Sequence, residues 1–190
     1  MEPALPDSEP ANAPPHPAAG RTLHYLLLAL AGQRCALPRA AVRELLPLPL
    51  LSRPPGLPPV LAGFANLGVE PLPVLHAARL LGLAALAPEQ GQDALYRHIV
   101  VLELGGTRVG LLVDRVLDLL TTSAGSLRPV PLDRTLTGCV AGGLPDPGSP
   151  EAGALLPVLD PARLLLAEER AVLEGLTEAA RARAAQWTAG

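Results

Sequence analysis

The sequence predicts an all-β protein with flanking helices in which one structural unit is built twice. The segment at 72–81, LPVLHAARLL, returns at 156–165 as LPVLDPARLL with eight of ten positions identical. The segments at 32–46 and 106–120 share Gly, Arg, Leu, Val, Leu and Leu in the same order. The two offsets are 74 and 84 residues, and units near this size form only marginal cores alone. We therefore expect two units that share a buried face.

In the first unit, apolar runs broken by Gly and Pro favour strands over long helices. Strands are predicted at 23–31, 34–37, 60–67 and 71–75, and helices at 40–46 and 77–81. Pro38 ends the second strand because proline has no amide hydrogen for the ladder. The proline-rich residues 1–21 are predicted to be a disordered tail, and 84–94 to be the connection between the units.

The second unit begins with a hairpin whose turn is Gly105-Gly106. Further extended segments are predicted at 116–120, 136–140 and 155–159, with a long loop at 142–153. Asp160 followed by Pro161 predicts the start of a helix, because an aspartate cap satisfies free amides and proline lacks one. This helix is predicted to run to about Arg183 and to bury one narrow apolar stripe, formed by Leu165, Val172, Leu176 and Ala179.

Composition argues against nucleic acid as a partner. All fifteen basic residues are Arg, they are spread along the chain, and the formal charge is −3. The chain therefore has no basic patch for a phosphate backbone. Aromatic residues make up only 2% of the sequence, which leaves few platforms on which bases could stack.

The predicted location is the cytoplasm, with no membrane insertion. The longest apolar run, Tyr25 to Ala31, is too short to span a bilayer, and the residues before it lack the basic start of a signal peptide. Cys35 and Cys139 form no CxxC motif and no disulfide framework, which is typical of a reducing compartment.

No residue pattern points to catalysis, so we predict no enzyme activity, no catalytic residue, no cofactor and no metal. A metal site built from His24, His98 and either cysteine was considered. The two histidines occupy equivalent positions in the two repeats, and no ligand spacing for a closed coordination shell accompanies them. The pairs Gly105-Gly106 and Gly142-Gly143 are not followed by Lys-Ser or Lys-Thr, so neither is predicted to form a phosphate-binding loop.

Five blocks in order carry a resemblance to a known family. They are Gly-x-x-x-Ala-Leu-Pro at 32–38, Val-Arg-Glu-Leu at 42–45, Gly-Phe-Ala-Asn-Leu at 63–67 with Leu-Pro-Val-Leu at 72–75, Val-Gly-Leu-Leu-Val-Asp-x-Val at 109–116, and Val-Leu-Asp-Pro-Ala-Arg-Leu-Leu at 158–165. In these blocks, residues 22–166 resemble the CheW-like domain of chemotaxis coupling proteins. The resemblance implies two packed five-stranded SH3-like β-barrels, with subdomains at about 22–83 and 95–166 and a possible exchange of strands. The helix predicted from the residues continues beyond the resemblance as a C-terminal helical extension at 167–190.

The resemblance also implies a function by protein binding. Members of this family are non-catalytic adaptors that couple the cytoplasmic tip of a methyl-accepting chemoreceptor to the regulatory domain of a CheA-type histidine kinase. The positions that match the family's receptor- or kinase-binding residues are Val42, Glu44, Gly63, Asn66, Gly68, Gly110 and Gly138.

The chain departs from the family pattern at one turn. The usual Asn-Leu-Arg-Gly is Asn66-Leu67-Gly68-Val69 here, and the usual Asp after the second strand is His76. Glu44 thereby loses the arginine with which its family counterpart can pair. Two alternatives stay open: an interaction module with altered receptor specificity, for twitching or surface motility or as an array filler, and a small-ligand binding double barrel.

Overall fold

The computed structural model describes residues 21–68, 70–83, 96–130, 136–151 and 153–188. The predicted N-terminal tail up to residue 20 and the predicted connection at 84–94 lie outside these residues. The strands are β1 (Thr22–Leu30), β2 (Gln33–Pro38), β3 (Val42–Pro47), β4 (Leu61–Asn66), β5 (Pro71–His76), β6 (His98–Leu104), β7 (Thr107–Val113), β8 (Arg115–Ser123), β9 (Val140–Pro145) and β10 (Leu155–Leu159). The helices are α1 (Ala77–Leu80) and α2 (Ala167–Thr188). A mostly β protein with a C-terminal helix is thus confirmed.

The strands form two five-stranded sheets that are copies of each other. Sheet A has the order β8-β1-β2-β10-β9, and sheet B has the order β3-β6-β7-β5-β4. If each strand of the first repeat (β1–β5) is exchanged with its counterpart in the second (β6–β10), one order becomes the other. Each sheet therefore takes two strands from one half of the chain and three from the other half. The sheets do not follow the predicted division at 83 and 95, which stays a prediction about subdomains.

Three apolar clusters reflect this arrangement. The inner cluster of sheet B is small, is confined to this sheet and its flanking chain, and includes Val74, Ile99 and Val101. The inner cluster of sheet A is its counterpart and includes Tyr25, Leu156 and Val158. The largest cluster draws on both sheets. The shared buried face expected from the size of the repeats is this large cluster, because a core of this extent is beyond one repeat alone.

The chain that leaves β3 crosses to the opposite edge of the same sheet. Ser52 pairs with Phe64 of β4 through two backbone hydrogen bonds of 2.8 and 2.9 Å. In sheet A, Arg128 pairs with Gly143 of β9 in the same way, at 2.8 and 2.7 Å. In each sheet, one bridge thereby joins the chain that follows one edge strand to the strand at the opposite edge.

The prediction of a helix at 40–46 is wrong. Residues Arg39–Ala41 form one 3-10 turn, and the chain continues as the edge strand β3, paired with β6. A bulge between Val42 and Glu44 interrupts the alternation of buried and exposed residues. The apolar spacing therefore imitates a helical period because the strand is irregular.

The helix predicted from Asp160 to Arg183 is two separate pieces. The Asp160 carboxylate accepts a hydrogen bond from the amide of Ala162 at 3.0 Å and caps a 3-10 turn, Pro161–Arg163. Helix α2 starts afterwards, where the Glu169 side chain accepts from the amide of Leu166 at 2.8 Å. This back-bond from the third helical residue is half of a capping box.

The apolar stripe predicted for this helix is confirmed at Leu165 and Leu176, but Leu173 and Ala180 take the places predicted for Val172 and Ala179. Leu173 is buried and Leu176 is partly buried against the large cluster, whereas Val172 is 56% exposed. Neither helix in the described part of the chain has the length and apolar character needed to cross a membrane.

Candidate docking surface

Three of the seven predicted site residues lie in one row across sheet B. The register places Glu44, Val101, Gly110, Val74 and Gly63 side by side on β3, β6, β7, β5 and β4. Val74 and Val101 belong to the inner cluster of this sheet. The row therefore lies on the face of sheet B that the inner cluster covers. Glu44 is the exception, because it is exposed at the bulge of β3.

Gly63 is required by the crossing of the chain over β4. A Cβ atom at this position would lie 2.7 Å from the backbone oxygen of Ser52, and the backbone φ is +145°. Gly142, its counterpart in the second repeat, has the same relation to the backbone oxygen of Arg128, at 2.8 Å. Because the same close approach occurs twice, the glycine serves the bridge that joins the sheet edges. A docking role for Gly63 stays a prediction.

Gly110 is buried in β7, where added volume would enter the inner cluster. A Cβ atom there would lie 2.6 Å from Cγ2 of Ile99 and 3.3 Å from Cδ2 of Leu72. The position equivalent to Gly110 in sheet A is Ala36, opposite Val158. The packing of sheet B thus accounts for the small residue, and no contact with another molecule is needed to explain it.

Val42 and Gly138 lie apart from this row. Val42 is 5% exposed in the large cluster, and its carbonyl accepts a hydrogen bond from Nη1 of Arg39 at 2.9 Å. Gly138 has φ +83° in the turn before β9, and a Cβ atom there would lie 3.7 Å from Nη2 of Arg163. The same turn is held by Sγ of Cys139, which donates to the Arg163 carbonyl at 3.1 Å.

The turn between β4 and β5 is, at its described residues 66–68 and 70, the exposed part of the candidate surface. Asn66, Leu67 and Gly68 are all exposed, and Leu67 is 43% exposed. Gly68 has φ +111°, and no atom lies within 4 Å of a Cβ placed there. The departure from the family pattern therefore sits on open surface, where a side chain could reach a partner.

Glu44 keeps no ion pair among those recorded for the described residues, whereas its neighbour Arg43 pairs with Glu103 at 2.8 Å. The Arg43–Glu103 pair links β3 to β6 on the outer side of sheet B. Glu44 is thus an exposed carboxylate on the edge strand β3.

Residues of α2 that contact sheet B at two different turns were missed by sequence reasoning. Arg181 pairs with Glu70 at 2.7 Å, and the Thr107 hydroxyl donates to Oε1 of Glu174 at 2.7 Å. Glu174 and Arg181 are seven residues apart, a spacing that puts both on one helix face. That spacing was visible in the sequence, but nothing in the pattern indicated which loop the face would meet.

The histidines considered for a metal site have other partners. Nδ1 of His24 is 3.0 Å from Oγ1 of Thr121, and Nδ1 of His98 is 2.7 Å from the Tyr96 carbonyl. Within the ranges that the structure describes, no group of three metal-ligating side chains is found.

Burial raises the pKa of the Cys35 thiol to about 12, because an apolar surrounding disfavours the thiolate. A thiol with a higher pKa in the folded state stabilises the fold below its unfolded value of 9.0 and loses that contribution as pH rises toward 12. We expect Cys35 to resist alkylation at pH 8 until the protein is unfolded. We also expect the free energy of unfolding to fall as the pH rises from 9 to 12. In urea denaturation of the Cys35→Val variant, the free energy of unfolding should depend less on pH over that range. Rapid alkylation of Cys35 in the native protein would contradict its burial.

The profile of the CheW-like domain family matches residues 24–169, a match that covers both sheets and reaches the start of α2. The chain therefore belongs to the CheW-like domain family. A similar fold is found in a crystal structure of the scaffolding protein TtCheW from Thermoanaerobacter tengcongensis, with a TM-score of 0.64 and 19% sequence identity over 84% of this chain and 96% of that chain. At this identity the likeness concerns the fold. A search of curated proteins found no match.

Proposed function

We propose that this protein is a cytoplasmic, non-catalytic adaptor that couples methyl-accepting chemoreceptors to a CheA-type histidine kinase. The observation that carries the proposal is the match of the CheW-like domain to residues 24–169. The similar fold of a protein described as a scaffold agrees with it. The proposed partners are the regulatory domain of the kinase and the cytoplasmic tip of the receptor.

The proposal includes closure of each sheet into an SH3-like barrel. The backbone bridges at Ser52–Phe64 and Arg128–Gly143 support closure, because each joins the chain leaving one edge strand to the strand at the other edge. Each inner cluster then fills one barrel with apolar side chains. Small barrels filled in this way leave their outer surfaces for recognition, which favours protein docking over a ligand inside the barrel.

The proposed docking residues combine an exposed part and a packing part. The exposed carboxylate of Glu44 and the open turn at Asn66 and Gly68 would contact partners directly. Gly63 and Gly110 would keep sheet B in the shape that presents them, since added side chains would collide with Ser52 and Ile99. Val42 and Gly138 support the neighbouring strands from the core and from the turn before β9.

Direct binding tests the proposal. Calorimetric titration of the full chain against the kinase regulatory domain and against a receptor cytoplasmic fragment should give saturable binding to both. Glu44→Gln removes the exposed charge and is expected to weaken one of the two, while Glu103→Gln serves as a control for a charge already paired with Arg43. Binding to neither partner, with saturable thermal stabilisation by a metabolite, would instead support a small-ligand protein.

The Gly68 turn favours a second candidate, an adaptor of the same fold with altered receptor specificity. Gly68→Arg is expected to change the affinity for receptor or kinase. It is expected to cost roughly 1–3 kcal/mol of stability because of the positive φ. Gly68→Ala is the matched control, since it introduces the same backbone strain without the guanidinium. If titrations show that both affinities of Gly68→Arg equal those of Gly68→Ala, the turn is not a specificity element.

A further inference from the structure

Helix α2 is attached to sheet B at two loops by one face. Leu173 is buried in the large cluster and anchors the helix. Glu174 accepts a hydrogen bond from Thr107, beside the turn between β6 and β7. Two helical turns further on, Arg181 reaches Glu70 in the β4–β5 turn. The helix thus connects its apolar anchor to the turn that departs from the family pattern.

The β4–β5 turn is exposed at its described residues, 66–68 and 70. Its ends are paired by Asn66 and Pro71 in the ladder. At its centre, Gly68 has open space around it and the conformational freedom of a glycine. The side chain recorded in contact with the exposed part of this turn, among the residues described, is that of Arg181, at 2.7 Å from Glu70. The guanidinium also contacts Glu178 at 2.7 Å, which holds it against the helix in a position to pair with the turn.

The helix leaves the tip of the turn accessible. An open cleft separates the second half of α2 from β5, and it is lined by Leu67, Glu70, Pro71, Thr177 and Arg181 among others. Leu67 and Gly68 remain exposed beside this cleft. Attachment of the helix therefore orders the turn without covering it, which is the condition for a preorganised binding loop.

We infer that α2 holds the β4–β5 turn in its binding conformation and that Arg181 is the positioning residue. This inference rests on the proposed function, since it names the element that prepares the proposed docking turn. It assigns a role to the C-terminal helix, which lies mostly beyond the matched domain. The ion pair is half exposed, at 43% for Arg181 and 65% for Glu70, so its effect is on local order and not on global stability.

The test uses the full-length chain with Arg181→Glu, and with Arg181→Glu combined with Glu70→Arg. Arg183→Glu is the matched control, since it makes the same charge change on an exposed residue of the same helix. Hydrogen exchange of the backbone amides of residues 66–70 and 72 should accelerate in Arg181→Glu, remain unchanged in Arg183→Glu and return toward wild type in the charge swap. Affinity for the partner that binds wild type should fall about two- to fivefold and recover in the same swap.

Two results would overturn the inference. One is unchanged exchange at residues 66–70 and 72 in Arg181→Glu. The other is faster exchange with unchanged affinity, which would show that order in the turn does not serve binding. A wild-type protein that binds neither kinase nor receptor overturns the proposed function instead. In that case the exchange measurement still decides whether Arg181 orders the turn.

Discussion

Fragments 1–90 and 91–190, produced separately, are each expected to lack a cooperative unfolding transition. The first fragment would hold β1 and β2 of sheet A but not β8, β9 and β10, and it would hold β3, β4 and β5 of sheet B without β6 and β7. In sheet B the missing strands lie between β3 and β5, so neither sheet could form its ladder. The unpaired backbone groups and exposed apolar faces would leave each fragment unfolded or aggregated.

Mixing the two fragments is expected to restore the native circular dichroism spectrum and a single melting transition. An intact chain carrying a protease site between Leu83 and Tyr96 is the control, because cleavage after folding should leave the two sheets associated. A fragment 1–90 that folded alone would have to place its own β1 and β2 where β6 and β7 lie in sheet B. A folded, monomeric fragment would therefore contradict the requirement for strands from both halves.

Gly63→Val is expected to destabilise the protein by about 3–5 kcal/mol, the second-largest effect. The Cβ atom would lie 2.7 Å from the Ser52 backbone oxygen, and the φ of +145° is unfavourable for an L-residue. Relief of the contact would require the loss of the bridge to Phe64. Urea denaturation should show the change as a lower midpoint.

Two variants separate the cost of the positive φ from the cost of overpacking. Gly68→Ala has a positive φ but open surroundings, so Gly63→Val should exceed it by about 1–3 kcal/mol, the overpacking contribution. Gly142→Val meets the Arg128 backbone oxygen at 2.8 Å, so it should be destabilised through overpacking alone. A Gly63→Val protein with wild-type stability and lost partner binding would show that Gly63 lies in an interface and that the bridge does not require it.

The internal repeat predicted two similar units, the family resemblance implied five strands in each, and the residues after Asp160 predicted the terminal helix. None of these predicted which strands share a sheet. The segments that became β1–β2 and β6–β7 are equivalent in both repeats, so the sequence pattern suits either pairing. The choice depends on packing between distant strands, such as the parallel contact of Val74 with Gly110. Local periodicity carries no information about such a contact.

The misassigned elements share one physical cause, since each was decided by tertiary contacts. Residues 40–46 carry apolar side chains at helical spacing, yet pairing with β6 and a bulge at Glu44 produced a strand. The helix after Asp160 breaks because Leu164 and Leu165 are both buried in the large cluster. Tertiary burial overrides local propensity in both cases.

The sequence allowed the positions of the candidate site to be predicted, but not the contacts that these residues make in the folded chain. Resemblance supplied Gly63 and Gly110, but the close approaches to Ser52 and Ile99 that explain them appear only in the folded chain. The contact of Arg181 with Glu70 joins residues 111 positions apart, and no sequence pattern links them. Their partner-binding roles stay predictions.

Kinase autophosphorylation in the presence of receptor-containing membranes tests the central claim most directly. The measurement compares the CheA-type kinase and its receptor with and without the full-length protein. The kinase rate is expected to respond to receptor ligand only when this protein is present, since the adaptor must bind both partners. A kinase that responds equally without the protein, or that gains no response when the protein is added, would show that the protein is not the adaptor.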